Sequence, residues 1–179
     1  MTTRLIKELV FCLACLGAFS GALAGTTAQF NVTIDIVEKC DVTTTSSSDV
    51  KFGSNSRSSA AVSYTATGTL TVNCSSGTPY IIGLNGGGNY DASGGGSAAA
   101  PIAGRRRMKS PAGNYIGYEL YSDLAGTFWG NTGSLTAKGD EVSGAGTGAD
   151  QSVMIYGKVV AANVPAGTYS DNVTATIVY

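Results

Sequence analysis

The chain has 179 residues and contains no histidine. That absence removes Ser-His-Asp and Cys-His nucleophilic chemistry and the common zinc sites. The neighbouring carboxylates Asp140 and Glu141 are of the type that serves glycosidases as acid and base. They lie in a glycine-rich stretch without a recognisable partner, and solvated charge is the plainer reading. No enzymatic constellation is present, so neither catalysis nor a cofactor is expected. Two further groups could make a specific contact. Arg105, Arg106, Arg107 and Lys109 form the one dense charge cluster. It would suit a polyanion or an acidic protein patch, or be edge-strand charge that blocks wrong pairing. Alternation along a strand would turn only about half of it to one side. Trp129, with Tyr115, Tyr118 and Tyr121, could stack on a sugar or fill the core of a β-sandwich. Packing is the simpler expectation.

The elements that must hold these residues follow from composition. Residues 1–24 read as an export signal: Arg4 and Lys7 precede the apolar run Leu9–Phe19, and Ala22-Leu23-Ala24 is a small-x-small cleavage site. Eleven apolar residues are too few to span a bilayer comfortably. The mature chain then begins at Gly25 and is long enough for one domain with a real core. Its net charge is close to neutral, which gives no reason to expect nucleic acid. Of four cysteines only Cys40 and Cys74 survive cleavage. In an exported protein such a pair reads as a disulfide, contributing about 3–4 kcal/mol by constraining the unfolded chain. Their spacing is wrong for a redox CxxC motif, and they lack metal-ligand companions.

Period-two alternation dominates the rest. Strands are expected at Gln29–Val37, Lys39–Thr45, Val50–Phe52, Gly68–Cys74, Pro79–Leu84, Arg105–Lys109, Tyr115–Tyr121, Gln151–Ala161 and Asn172–Tyr179. Glycine-rich loops are expected around Gly86–Gly96 and over Gly139–Asp150. Short strands separated by turn signals suggest an all-β, immunoglobulin-like sandwich in which Cys40 and Cys74 tie the first core strand to the second. Two alternating runs stand out. Phe30, Val32, Ile34 and Ile36 share one face, and so do Val173, Ala175, Ile177 and Tyr179. The first run is either the opening strand of its own sandwich or a spare strand for another chain. Burying its four apolar side chains would stabilise a complex by about 6–12 kcal/mol gross.

The motifs Arg106-Arg107-Met108-Lys109, Tyr118-Glu119-Leu120-Tyr121-Ser122-Asp123, Trp129-Gly130, Gly144-x-Gly146-x-Gly148, Ile155-Tyr156-Gly157-Lys158 and Pro165-Ala166-Gly167-Thr168-Tyr169-Ser170-Asp171 occur in this order. In order and spacing the chain resembles the spore coat U domain family, which also contains major subunits of archaic chaperone–usher pili. The resemblance covers nearly all of the mature chain and is weakest over residues 43–66 and in the glycine-rich loops. It implies an incomplete immunoglobulin-like β-sandwich lacking its last strand and completed by a donor strand from another chain. Residues 25–37 would then be the donor extension and residues 38–179 the sandwich domain. The final run through Tyr179 would be the strand that a periplasmic chaperone and then the incoming donor meet. The better-known pilins carry a penultimate tyrosine, whereas Tyr179 is last, so only the strand carries over. The implied partners are identical or related subunits, a periplasmic chaperone and an outer-membrane usher. The implied location is the cell surface after export through the periplasm, and the implied role is adhesion and biofilm formation. A coat protein that assembles without fibres and a small carbohydrate-binding module are the alternatives.

Overall fold

The computed structural model describes residues 26–45, 48–58, 62–160 and 162–179. The expected export signal lies outside these residues. Among the described residues, nine strands account for almost all regular structure: β1 (Cys40–Thr43), β2 (Tyr64–Cys74), β3 (Pro79–Leu84), β4 (Arg107–Lys109), β5 (Tyr115–Gly117), β6 (Glu119–Tyr121), β7 (Val142–Ala145), β8 (Gln151–Val159) and β9 (Ala175–Val178). One sheet has the order β1-β2-β8-β6, a second β7-β3-β9, and β4 and β5 form a separate hairpin. Every pairing is antiparallel.

The period-two pattern explains how the two larger sheets face each other. Along β2, Leu70, Val72 and Cys74 are buried, while Thr65, Thr67 and Asn73 are exposed. Along β8, Ile155 and Val159 point inward with Gly157 between them. From the other sheet come Tyr80, Ile82 and Leu84, joined by half-buried Ala175 and Ile177. β3 is buried along nearly its whole length, as its continuous apolar run requires. Cys40 and Cys74 are bonded to each other and sit directly opposite in the β1–β2 register.

Five sequence expectations change. Tyr115–Tyr121 is not one strand: it breaks at Tyr118, and its halves join different partners, β5 with β4 and β6 with β8. Only the latter half of Arg105–Lys109 is in a strand. The glycine-rich stretch 139–150 contains β7, which pairs with β3 from Pro79↔Ala145 to Ile82↔Val142. Small residues there let Gly144 lie beneath the Tyr80 ring, where a Cβ would fall 2.4 Å from the hydroxyl oxygen. The run 29–37 belongs to no strand of this chain, and Phe30, Val32, Ile34 and Ile36 are all more than 80% exposed. Val50–Phe52 likewise forms no strand, although both side chains pack on the core.

Candidate functional site

Two regions gather the residues singled out by sequence. The first is a buried cluster. Arg106 has no exposed surface. Its Nε donates to the Asn85 carbonyl at 3.0 Å, and its Nη2 donates to the Leu84 carbonyl at 2.9 Å and the Trp129 carbonyl at 2.7 Å. The guanidinium therefore pins the end of β3 to the segment after β6. Burial lowers the Arg106 pKa, while Glu119, Tyr118, Asp140 and Asp171 support the charge. Trp129 is also wholly buried and donates its indole N–H to the Ile82 carbonyl at 2.7 Å. The Tyr118 hydroxyl donates to Asp171 at 2.7 Å. Burial first, and then this carboxylate, push the phenol pKa up. Asp171 also accepts from the Asn89 backbone and side-chain N–H groups at 3.1 and 2.9 Å.

Arg106 and Trp129 therefore drop out of the candidate contact patch, and for Trp129 this is the packing that was the simpler of its two expectations. Neither an edge-strand charge nor a sugar platform describes them: they are interior groups that satisfy the ends of backbone segments. The members of the cluster that reach solvent are Arg105, Arg107 and Lys109. Arg105 and Arg107 lie 3.5 and 3.7 Å from Asp91. Arg107 and Lys109 both lie over the Tyr115 ring, at 4.4 and 5.4 Å from its centroid. Asp140 and Glu141 are structural too. Asp140 accepts from the backbone N–H and the hydroxyl of Thr132. Glu141 accepts from the backbone N–H groups of Gly133 and Gly139. Burial works against ionising Glu141, yet those N–H groups together hold its pKa below the usual value. Among the described residues no cluster of His, Cys, Asp and Glu could hold a metal ion.

The second region is a groove. β1 and β9 are edge strands of their respective sheets, and neither has a ladder partner on its outer side among the described residues. Beside them a cavity of about 1120 Å³ opens between the sheets. Its floor is core: Leu70, Leu84, Ile116, Leu120, Ile155 and Val159. One wall carries Val42 of β1. The other carries Val173 and Ala175, at and just before the start of β9. Of the predicted run, Val173, Ala175 and Ile177 are half-buried toward the core, whereas Tyr179 is 50% exposed. Sequence reasoning missed the segment Ser48–Asn55, which also lines the cavity. Its alternation of half-buried Ser48, Val50 and Phe52 with exposed Asp49 and Lys51 was the available signal.

The family model of the Spore Coat Protein U domain matches residues 26–176. The chain belongs to that family. Protein U of Myxococcus xanthus is 36% identical over 175 residues, covering 93% of this chain and 92% of that protein. The fold also matches the crystal structure of the CsuC–CsuE chaperone–tip adhesion subunit pre-assembly complex from archaic chaperone-usher Csu pili of Acinetobacter baumannii. That match has a TM-score of 0.53 at 22% identity and covers 80% of this chain. The present chain spans only 40% of the matched chain's length. The likeness establishes the shared immunoglobulin-like all-β architecture. Among the described residues, no helix is long and apolar enough to cross a membrane.

Proposed function

We propose that this spore coat U domain protein is a structural subunit of a secreted surface fibre, polymerised by donor-strand exchange. The observation that carries the reading is a pair of unmet halves. The sandwich presents a groove with an apolar floor, beside the edge strands β1 and β9, which have no outer ladder partner among the described residues. The extension presents Phe30, Val32, Ile34 and Ile36, at two-residue spacing and exposed. An extended segment from a second copy, laid along β1 and β9, would satisfy edge hydrogen bonds and sink every other side chain into the groove. Covering those edges also removes a template for uncontrolled aggregation. Residues 25–37 are then the donor and residues 38–179 the acceptor domain. A periplasmic chaperone would occupy the groove before assembly, and an outer-membrane usher would catalyse the exchange. Export through the periplasm delivers the fibre to the cell surface, where its role is mechanical: adhesion and biofilm formation rather than catalysis. Dissociation must reopen an apolar groove, so such a fibre persists for kinetic reasons.

A second reading draws on the relationship to Protein U, a coat protein by family name: the domain would assemble on a surface without growing a fibre. The two are separated by running surface-extracted protein on an SDS gel with and without boiling, reductant omitted. A ladder that collapses to monomer on boiling is expected for strand-exchanged polymers. A monomer band in both lanes would refute the fibre and leave the coat.

A further inference from the structure

The groove is partly closed by the chain's own residues. β1 and β9 approach within 8 Å between Cα atoms, whereas two strands flanking a third stand about 9–10 Å apart. Below β1 the closure is by side chains. Segment Ser48–Phe52 is strand-like in its alternation and is tied to the neighbouring sheet by the backbone bond from the Thr69 N–H to the Ser48 carbonyl at 2.9 Å. Instead of continuing β1 along the edge of β2, it crosses the inner face of the sheet. Two glycines make room for it. A Cβ on Gly68 would fall 2.6 Å from the Ser48 carbonyl oxygen and 2.8 Å from a Val50 methyl. A Cβ on Gly157 would fall 2.5 Å from the other Val50 methyl and 2.9 Å from the Phe52 ring. Gly68 and Gly157 lie on adjacent strands, two positions apart in register, so together they form one socket on the inner face. Val50 and Phe52 fill it. Meanwhile β2 from Tyr64 to Leu70 has no strand partner on the β1 side among the described residues.

We propose that Ser48–Phe52 is a two-position strap. In the position seen here, Val50 and Phe52 plug the glycine socket and hold the groove short. In the other, donor side chains take the socket and the strap moves out to the β1-side edge of β2, where it continues β1 and lengthens the acceptor edge. The second position suits the segment's side-chain alternation, which an edge strand requires. The plug shields a core that would otherwise face water, and its removal is a step in donor entry. This rests on the donor-strand reading above.

The test uses the full mature chain carrying Ile34→Asp, whose own extension is disabled, with a fluorescent peptide of residues 26–38 offered in trans. Gly157→Ala pushes methyl bulk under Val50 and Phe52, and Phe52→Ala empties the plug. Each is expected to speed peptide capture about tenfold, with Phe52→Leu in between. Before any peptide is added, Gly157→Ala is also expected to raise amide exchange over residues 48–52. If the parent chain captures no peptide at all, the donor-strand reading fails. If it captures peptide but the variants bind at the same rate or more slowly, the strap is a fixed wall and this inference alone is overturned. Should Gly157→Ala fail to fold, Phe52→Ala and Phe52→Leu still decide, because neither adds an atom to the core.

Discussion

The two flanks of the sandwich are built to opposite ends. On the β6 flank the chain pairs with itself. Phe128 bridges to Tyr121, the Trp129 N–H bonds to the Leu120 carbonyl, and the Ser122 N–H bonds to the Thr127 carbonyl. Behind that edge the buried Arg106 fastens three carbonyls from two segments. On the β1–β9 flank two edge strands have no outer ladder partner among the described residues, beside a cavity with an apolar floor. The difference gathers a buried hydrogen-bonded network on one side and leaves unpaired strand edges on the other, the side to which the proposed donor would come. Of the family motifs, Arg106 and Trp129 lie in the buried network, whereas Tyr118, Leu120, Ile155 and the stretch 165–171 line the open cavity.

That contrast can be broken from either side. The largest effect is expected at the open flank. Ile34→Asp should abolish boiling-sensitive multimers while leaving a folded, disulfide-bonded subunit, because a charge cannot enter an apolar groove unpaired. Failure of that variant to fold would place the run in its own chain's core. On the closed flank, Arg106→Ala strands the Leu84, Asn85 and Trp129 carbonyls without their donor. It should cost about 3–5 kcal/mol in denaturant unfolding, several buried acceptors being orphaned at once. A loss below about 1 kcal/mol would show that water replaces the guanidinium. Replacing Cys40 and Cys74 together by alanine should cost about 3–4 kcal/mol. It should also weaken donor capture, since the bond holds β1, one wall of the groove. Stability lost with capture intact would uncouple the two. Tyr118→Phe removes a single hydrogen bond to Asp171 and should cost about 1 kcal/mol, read as a small drop in melting temperature with assembly unchanged.

Much of the architecture was legible because strand periodicity is local. Alternation at Leu70, Val72 and Cys74, the apolar run of β3, and the cysteine pair needed no tertiary information. The break at Tyr118 was not legible, because the residues on both sides alternate equally well. What separates β5 from β6 is that one half pairs with β4 and the other with β8. β7 was hidden for the opposite reason: small residues and glycine carry little strand signal, and only the Tyr80 ring above Gly144 explains why they are needed. Arg106 read as surface charge because composition cannot tell a buried arginine from a solvated one. The difference lies in three carbonyls supplied by residues 21 to 23 positions away.

By itself, the sequence determined the all-β class, the disulfide, the two alternating apolar runs and the lack of histidine chemistry, since each is a property of residue type and near spacing. The tertiary structure alone decided that Arg106 is interior, that the edge strands β1 and β9 lie beside one cavity, and that Val50 and Phe52 rest on Gly68 and Gly157. Those facts depend on which distant segments meet, and no local period encodes the meeting.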